Sequence, residues 1–251
     1  MVPVLFLYPE AVYMKALVLS SGGVDSSTAL GLAVQKYGKE NVIALSVSYG
    51  QKHDREIRAA KAVAEYYGVE QQFLDLSLIF QYSSCSLLQQ SDEAIPEESY
   101  AEQLQKTDGA KPVSTYVPFR NGLFLSAAAS IALSRDCEVI YYGAHADDAA
   151  GCAYPDCSPV FNKAMSEAVW EGTGRQLRIE APFVNGNKAD VVRIGLKIRV
   201  PYHLTWSCYE GGDRPCGKCG TCIDRAAAFA ANHVKDPALE NGTLETEGEQ
   251  K

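Results

Sequence analysis

Two groups of residues in this chain have the types and spacing to do chemistry. The first is the corner Ser20-Ser21-Gly22-Gly23-Val24-Asp25-Ser26-Ser27-Thr28, which follows the apolar run Leu17-Val18-Leu19. Two glycines let a backbone turn sharply and approach a ligand closely. A helix starting there has unpaired amides at its first turn, and its dipole favours an anion, so the corner suits phosphate. The hydroxyls of Ser21, Ser26, Ser27 and Thr28 add donors. The corner has neither the lysine of G-x-x-x-x-G-K-[ST] nor the spacing of G-x-G-x-x-G. Its plain alternative is a tight strand–helix turn capped by an aspartate or a serine.

The second group is Cys208, Cys216, Cys219 and Cys222, spaced C-x7-C-x2-C-x2-C. Four thiolates at knuckle spacing complete a tetrahedral shell, and a shell closed by protein ligands is a structural rather than a catalytic zinc site. Gly211, Gly212, Gly217 and Gly220 supply the tight turns. An iron–sulfur cluster, redox cysteines or unbound thiols are the alternatives. Crowding of four of the eight cysteines into one segment favours metal in a reducing, cytoplasmic setting over disulfides. Cys85 and Cys137 read as fillers. Cys152 and Cys157 share a loop where a reactive thiol is a second option.

The elements that must position these groups follow from hydrophobic periodicity. Strands are predicted at residues 15–20, 42–48, 72–76, 138–143 and 178–181. Helices are predicted at 26–37, 54–67, 123–133, 161–171, 188–197 and 223–231. Strand–helix alternation implies a parallel sheet with right-handed crossovers. Residues 83–111 are polar and read as a long loop or a lid. Residues 1–13 read as an extension, with Met1 or Met14 as the start. Residues 14–200 are expected to form the α/β domain, 201–235 a metal-binding region, and 236–251 a disordered tail.

Composition narrows the classes. Lysine and arginine total 23 against 31 acidic residues, a net charge of −8, which argues against nucleic acid as the main partner. No apolar run reaches the roughly 18 residues a membrane span needs. The first residues lack the basic start and cleavage site of a signal peptide.

SGGVDS after a strand resembles the PP-loop of the ATP pyrophosphatase superfamily. Further strings are YGQKHDREI at 49–57, STYVPFRNGLFLSAAASIA at 114–132, GAHADDAAGCAYPDC at 143–157 and TWSCYEGGDRPCGKCGTC at 205–222. Together they closely resemble the 7-cyano-7-deazaguanine synthase family, from about residue 14 to 231. The resemblance implies an adenine-nucleotide α-hydrolase-like, Rossmann-like α/β fold with a parallel five-stranded sheet and a C-terminal zinc knuckle. It implies a homodimer with small-molecule substrates only: 7-carboxy-7-deazaguanine, ammonia and ATP with Mg2+. The carboxylate is adenylated, ammonia gives an amide, and a second activation gives the nitrile.

By that resemblance, Ser21, Gly22, Gly23 and Ser26 hold pyrophosphate, and Asp25 positions Mg2+ or the loop itself. The wider run, with Ser20, Val24, Ser27, Thr28, Ala29 and Leu30, binds the nucleotide. Lys52 follows the second strand and is expected to stabilise charge on pyrophosphate, with His53 beside it. Arg120 suits a phosphate or carboxylate through paired donors, and Asn121 is expected at the substrate. Asp147 and Asp148 are adjacent, so they point differently. One could read a guanine-like donor edge or hold Mg2+, or the pair forms a solvated cap. Tyr154 and Asp156 are expected in the base pocket. Lys188 and Asp190 stand at a helix start, as a cap and ion pair or as functional groups.

The residue after Val-Pro, Phe119, departs from the glycine or asparagine common in that family. Three rivals remain: a tRNA-thiolating enzyme, a ligase joining the activated deazaguanine to a protein amine, and a zinc-stabilised nucleotide-binding regulatory module.

Overall fold

The computed structural model describes residues 14–106 and 111–240. The expected extension at 1–13 and the tail from 241 onward lie outside the described residues. Five parallel strands form one sheet: β1 (Lys15–Leu19), β2 (Val42–Ser48), β3 (Glu70–Asp75), β4 (Cys137–Tyr141) and β5 (Arg178–Glu180), in the order β3-β2-β1-β4-β5. The chain starts at the centre, winds outward through β2 and β3, then returns to the other side of β1 for β4. This reversal opens a crevice beyond the carboxyl ends of β1 and β4.

Alternation along β1 sends its side chains to opposite faces. Ala16 and Val18 join one core with α1 (Val24–Tyr37), α2 (Arg55–Tyr67), α7 (Lys188–Lys197) and α8 (Gly220–Ala231). Leu17 joins the other core, with Leu125, Ala128, Ala129 and Ala132 of α4 (Arg120–Ser134) and Val169 of α6 (Pro159–Gly172). Two buried sheet faces explain the near-continuous apolar strands. Each fully buried leucine contributes about 1.5–3 kcal/mol to folding.

Gly22 shows why the corner needs glycine. Its φ is +82°, and a Cβ there would stand 2.4 Å from the Ala60 nitrogen and 2.6 Å from the Glu56 carbonyl. The corner thus lies directly on α2. Phe119 also holds a left-handed φ of 54°. Glycine and asparagine tolerate that conformation best.

Two expectations change. Residues 83–111 are not simply a loop. Cys85, Leu87 and Leu88 are buried with Tyr49, Phe80 and Val117, Gln51 bridges to Leu88, and Tyr100–Lys106 forms α3. Nor does an unstructured tail begin at 236. The Asp236 carboxylate accepts two hydrogen bonds from buried Arg225 at 2.6 and 2.8 Å, and Pro237–Glu240 forms α9. Short α5 (Ala146–Ala149) follows β4.

Candidate active site

The crevice at the switch point is a cavity walled by five elements of the sequence argument. From the glycine corner come Ser20, Ser21, Gly23, Asp25 and Ser26, and from α4 come Arg120 and Asn121. Asp148 and Lys188 enter from the starts of α5 and α7, and the cysteine segment adds Trp206, Ser207, Tyr209, Thr221 and Asp224.

The corner is held open by its own hydroxyls. Ser26 Oγ accepts from the Ser21 amide at 3.2 Å and contacts Ser21 Oγ at 3.0 Å. The run narrows after Ser26. Val24, Ala29 and Leu30 are packed in the core, Ser27 is fully buried, and Thr28 Oγ1 donates to the Val24 carbonyl at 2.7 Å. These side chains fix the helix and do not line the cavity, so any nucleotide contact of this stretch is left to its backbone. Helical geometry turns this face into the core, leaving the first-turn amides toward the cavity.

Asp25 and Lys188 are the electrostatic centre. Lys188 Nζ donates to Asp25 Oδ2 across 163 positions of sequence, and the side chains are 12% and 21% exposed. Burial alone would raise the Asp25 carboxyl, but Lys188 and then His145 outweigh it and hold the group below its ordinary range. Burial likewise opposes the Lys188 charge, and Asp25 with Asp148 pushes the ammonium above its usual value. Asp148 is raised by burial against the pull of His145 and Lys188. Burial pushes Asp224 up to about 6 and Glu56 up to about 7. Arg120 lies 5.1 Å from the Tyr49 ring centre. Burial opposes its charge, and Tyr49, Tyr209 and Glu56 more than restore it.

Four expected site residues are elsewhere. Lys52 is exposed and donates to the Glu93 carbonyl at 2.9 Å, because the Gln51–Leu88 bridge turns its segment away. Asp147 accepts from the Lys188 amide at 2.8 Å and so caps α7, while its neighbour Asp148 faces the cavity. Asp156 is buried and accepts from the Asn121 amide at 2.8 Å, holding the start of α4. Tyr154 stands behind the wall, 2.6 Å from Thr115 Oγ1 and 3.5 Å from the Tyr209 hydroxyl. The last two position cavity residues without facing the cavity.

Lys188 had only an ambiguous signal at a helix start, and its partner Asp190 turns out to close a capping box with Asn187. His145, Glu56 and Asp224 were missed. Nothing in their local spacing marks them. Cys157 lines the cavity, and burial pushes its thiol well above the ordinary range, so it is not a ready thiolate.

The sulfurs of Cys208, Cys216, Cys219 and Cys222 all lie within 4.8 Å of one another, and none is in a disulfide. Amides of Cys216, Lys218 and Cys219 point at them at 3.3–3.5 Å. Four sulfurs placed about 2.3 Å from one ion would be mutually this close, so the cluster fits a single bound metal ion.

A parallel five-stranded α/β sheet with a glycine corner at its switch point defines a doubly wound fold. A solved structure with a similar fold, NMN synthetase from Francisella tularensis, superposes with a TM-score of 0.50 at 17% identity, covering 91% of this chain and 82% of that one. The chain belongs to the family described as queuosine biosynthesis protein QueC, whose model matches residues 15–233. It is 44% identical over 229 residues to the 7-cyano-7-deazaguanine synthase of Archaeoglobus fulgidus, covering 91% of both chains. It is 42% identical over 226 residues to that of Oceanobacillus iheyensis, covering 89% of this chain and 96% of the relative. No helix among the described residues is long and apolar enough to cross a membrane.

Proposed function

We propose that this enzyme converts 7-carboxy-7-deazaguanine to its nitrile, using ammonia and Mg·ATP. One observation carries the reading: the phosphate-binding corner, Lys188 and Arg120 open on the same cavity. A free carboxylate is a poor electrophile. Its oxygen attacks the α-phosphorus of ATP, pyrophosphate leaves with the electron pair of the broken P–O bond, and an acyl adenylate results. The first-turn amides of α1 and the Lys188 ammonium stabilise the charge gathering on pyrophosphate. Ammonia then forms the C–N bond as AMP departs. The amide oxygen is adenylated in turn, and loss of AMP with both nitrogen-bound protons leaves the nitrile.

Because Asp25 Oδ2 is held by Lys188, its role in this scheme is to position the lysine and the loop. Magnesium enters with ATP as part of the substrate. Arg120 meets the substrate carboxylate or a phosphate oxygen. Asp224 takes the donor edge of the base.

The cysteine cluster is proposed to hold structural zinc, supported by its all-sulfur donors. Zinc there would fix the segment carrying Trp206, Tyr209 and Asp224 to the cavity wall. Cys219→Ser should therefore lose about one equivalent of zinc and weaken substrate binding as well as folding. Unchanged metal content with an unchanged melting curve would contradict the zinc assignment. The homodimer belongs to the same proposal. Exposed Phe73 on the edge strand β3, with Leu78 and Tyr82 beyond it, supplies apolar surface for a second copy.

The test is a mass-spectrometric assay with 7-carboxy-7-deazaguanine, Mg·ATP and ammonium. The expected result is nitrile, preceded by a transient amide. ATP-dependent loss of substrate without nitrile would indicate another nucleophile and overturn the proposal.

A further inference from the structure

His145 lies at the start of α5 with its side chain 2% exposed. Neither ring nitrogen has a hydrogen-bond partner. Nε2 stands 3.4 Å from Asp148 Oδ2 and 3.7 Å from Asp25 Oδ1. A buried imidazole with both nitrogens bare loses its hydration without replacement, and an apolar side chain would fill the space at lower cost. Its orientation toward two carboxylates, one of them on the cavity wall, gives the ring a use that packing does not.

We propose that His145 is a positioning residue that acts through Asp148 to take up the proton released when ammonia forms the amide. The inference rests on the reaction proposed above. Asp148 meets the attacking nitrogen. As the C–N bond forms and the C–O bond to AMP breaks, AMP leaves with the electron pair. The nitrogen loses one proton to Asp148, which passes it to Nε2. The proton returns to water when products leave. Adenylation of the carboxylate, by contrast, releases no proton, so the relay is idle in that step.

The charged groups acting on the ring are Asp25 on α1, Asp148 on its own segment and Asp224 on α8, with Lys188 of α7 and Arg120 of α4 acting on Asp148.

The test compares wild-type protein with His145→Gln in two assays. One follows exchange of labelled pyrophosphate into ATP with the carboxylate substrate and no ammonia. The other follows amide formation with ammonium present. Exchange should stay within about twofold of wild type while amide formation falls about 10²-fold. Asp148→Asn, which leaves the histidine in place, should lower amide formation by a similar factor. Equal loss in both assays would mean a structural role, and unchanged amide formation would mean none; either overturns the inference. Absence of exchange in wild-type protein would instead remove the reaction proposed above, and this inference with it.

Discussion

Lys188→Met is expected to lower turnover by about 10²–10³-fold, the loss seen when one charge-stabilising donor is removed from an active site. It is also expected to destabilise the fold, because the variant leaves the Asp25 carboxylate without its main counter-charge at 21% exposure. Losing one partner of a buried pair costs about 3–5 kcal/mol. Residual exposure to the cavity puts this case at the lower end. The double variant Lys188→Met with Asp25→Asn separates the two effects. It should recover most of the stability, since no charge is stranded, and recover none of the turnover. Thermal melts and steady-state AMP release check this. Recovery of turnover in the double variant would mean that Lys188 serves the fold alone.

The same pair sets a pH window for stability. Asp25 has a depressed folded pKa, so its contribution is complete above its unfolded value near 3.9 and is lost as pH falls through the folded value. Lys188 is raised, so its contribution is complete below about 10.4 and is lost as pH rises through its folded value. Between these limits the ion pair is intact.

Asp236→Ala is expected to give the largest loss of stability of any single change outside the cavity. Arg225 and Asp236 are 6% and 5% exposed. The guanidinium also donates to the Tyr202 carbonyl at 3.2 Å and to Ser207 Oγ at 3.2 Å. Removing the carboxylate strands a buried cation at a cost of about 3–5 kcal/mol. For a chain of this size that lowers Tm by about 6–20 °C. Since Ser207 and its neighbour Trp206 line the cavity, KM should rise as the segment loosens. A melt within 2 °C of wild type, about the shift of a neutral surface change, would contradict this account of the Arg225–Asp236 pair.

Strands β1 and β2 were legible in the sequence because each is an apolar run followed by a helix of period 3.6. The corner was legible because its glycines, serines and aspartate are contiguous. The Lys188–Asp25 pair was not, because its members come from separate elements and meet only when α7 packs against α1. Lys52 was misread by proximity. It follows β2 directly, yet pairing of Gln51 with Leu88 turns it outward. Asp147 and Asp148 are alike in sequence, and only the start of α7 decides which caps and which faces the cavity. Asp236 looked like the beginning of a polar tail because the cation it neutralises lies eleven positions earlier, on α8. The polar composition of 83–111 hid the few apolar anchors that pin it, and with them Tyr100, which reaches the cavity.

The central claim is that one cavity adenylates the same carbon's oxygen twice, first as carboxylate and then as amide. The most direct measurement supplies 7-carboxy-7-deazaguanine with both carboxylate oxygens labelled as 18O and follows the label by mass spectrometry. The account predicts that each AMP released carries one 18O, that the transient amide retains one, and that pyrophosphate carries none. Label appearing in water or phosphate, with unlabelled AMP, would contradict it.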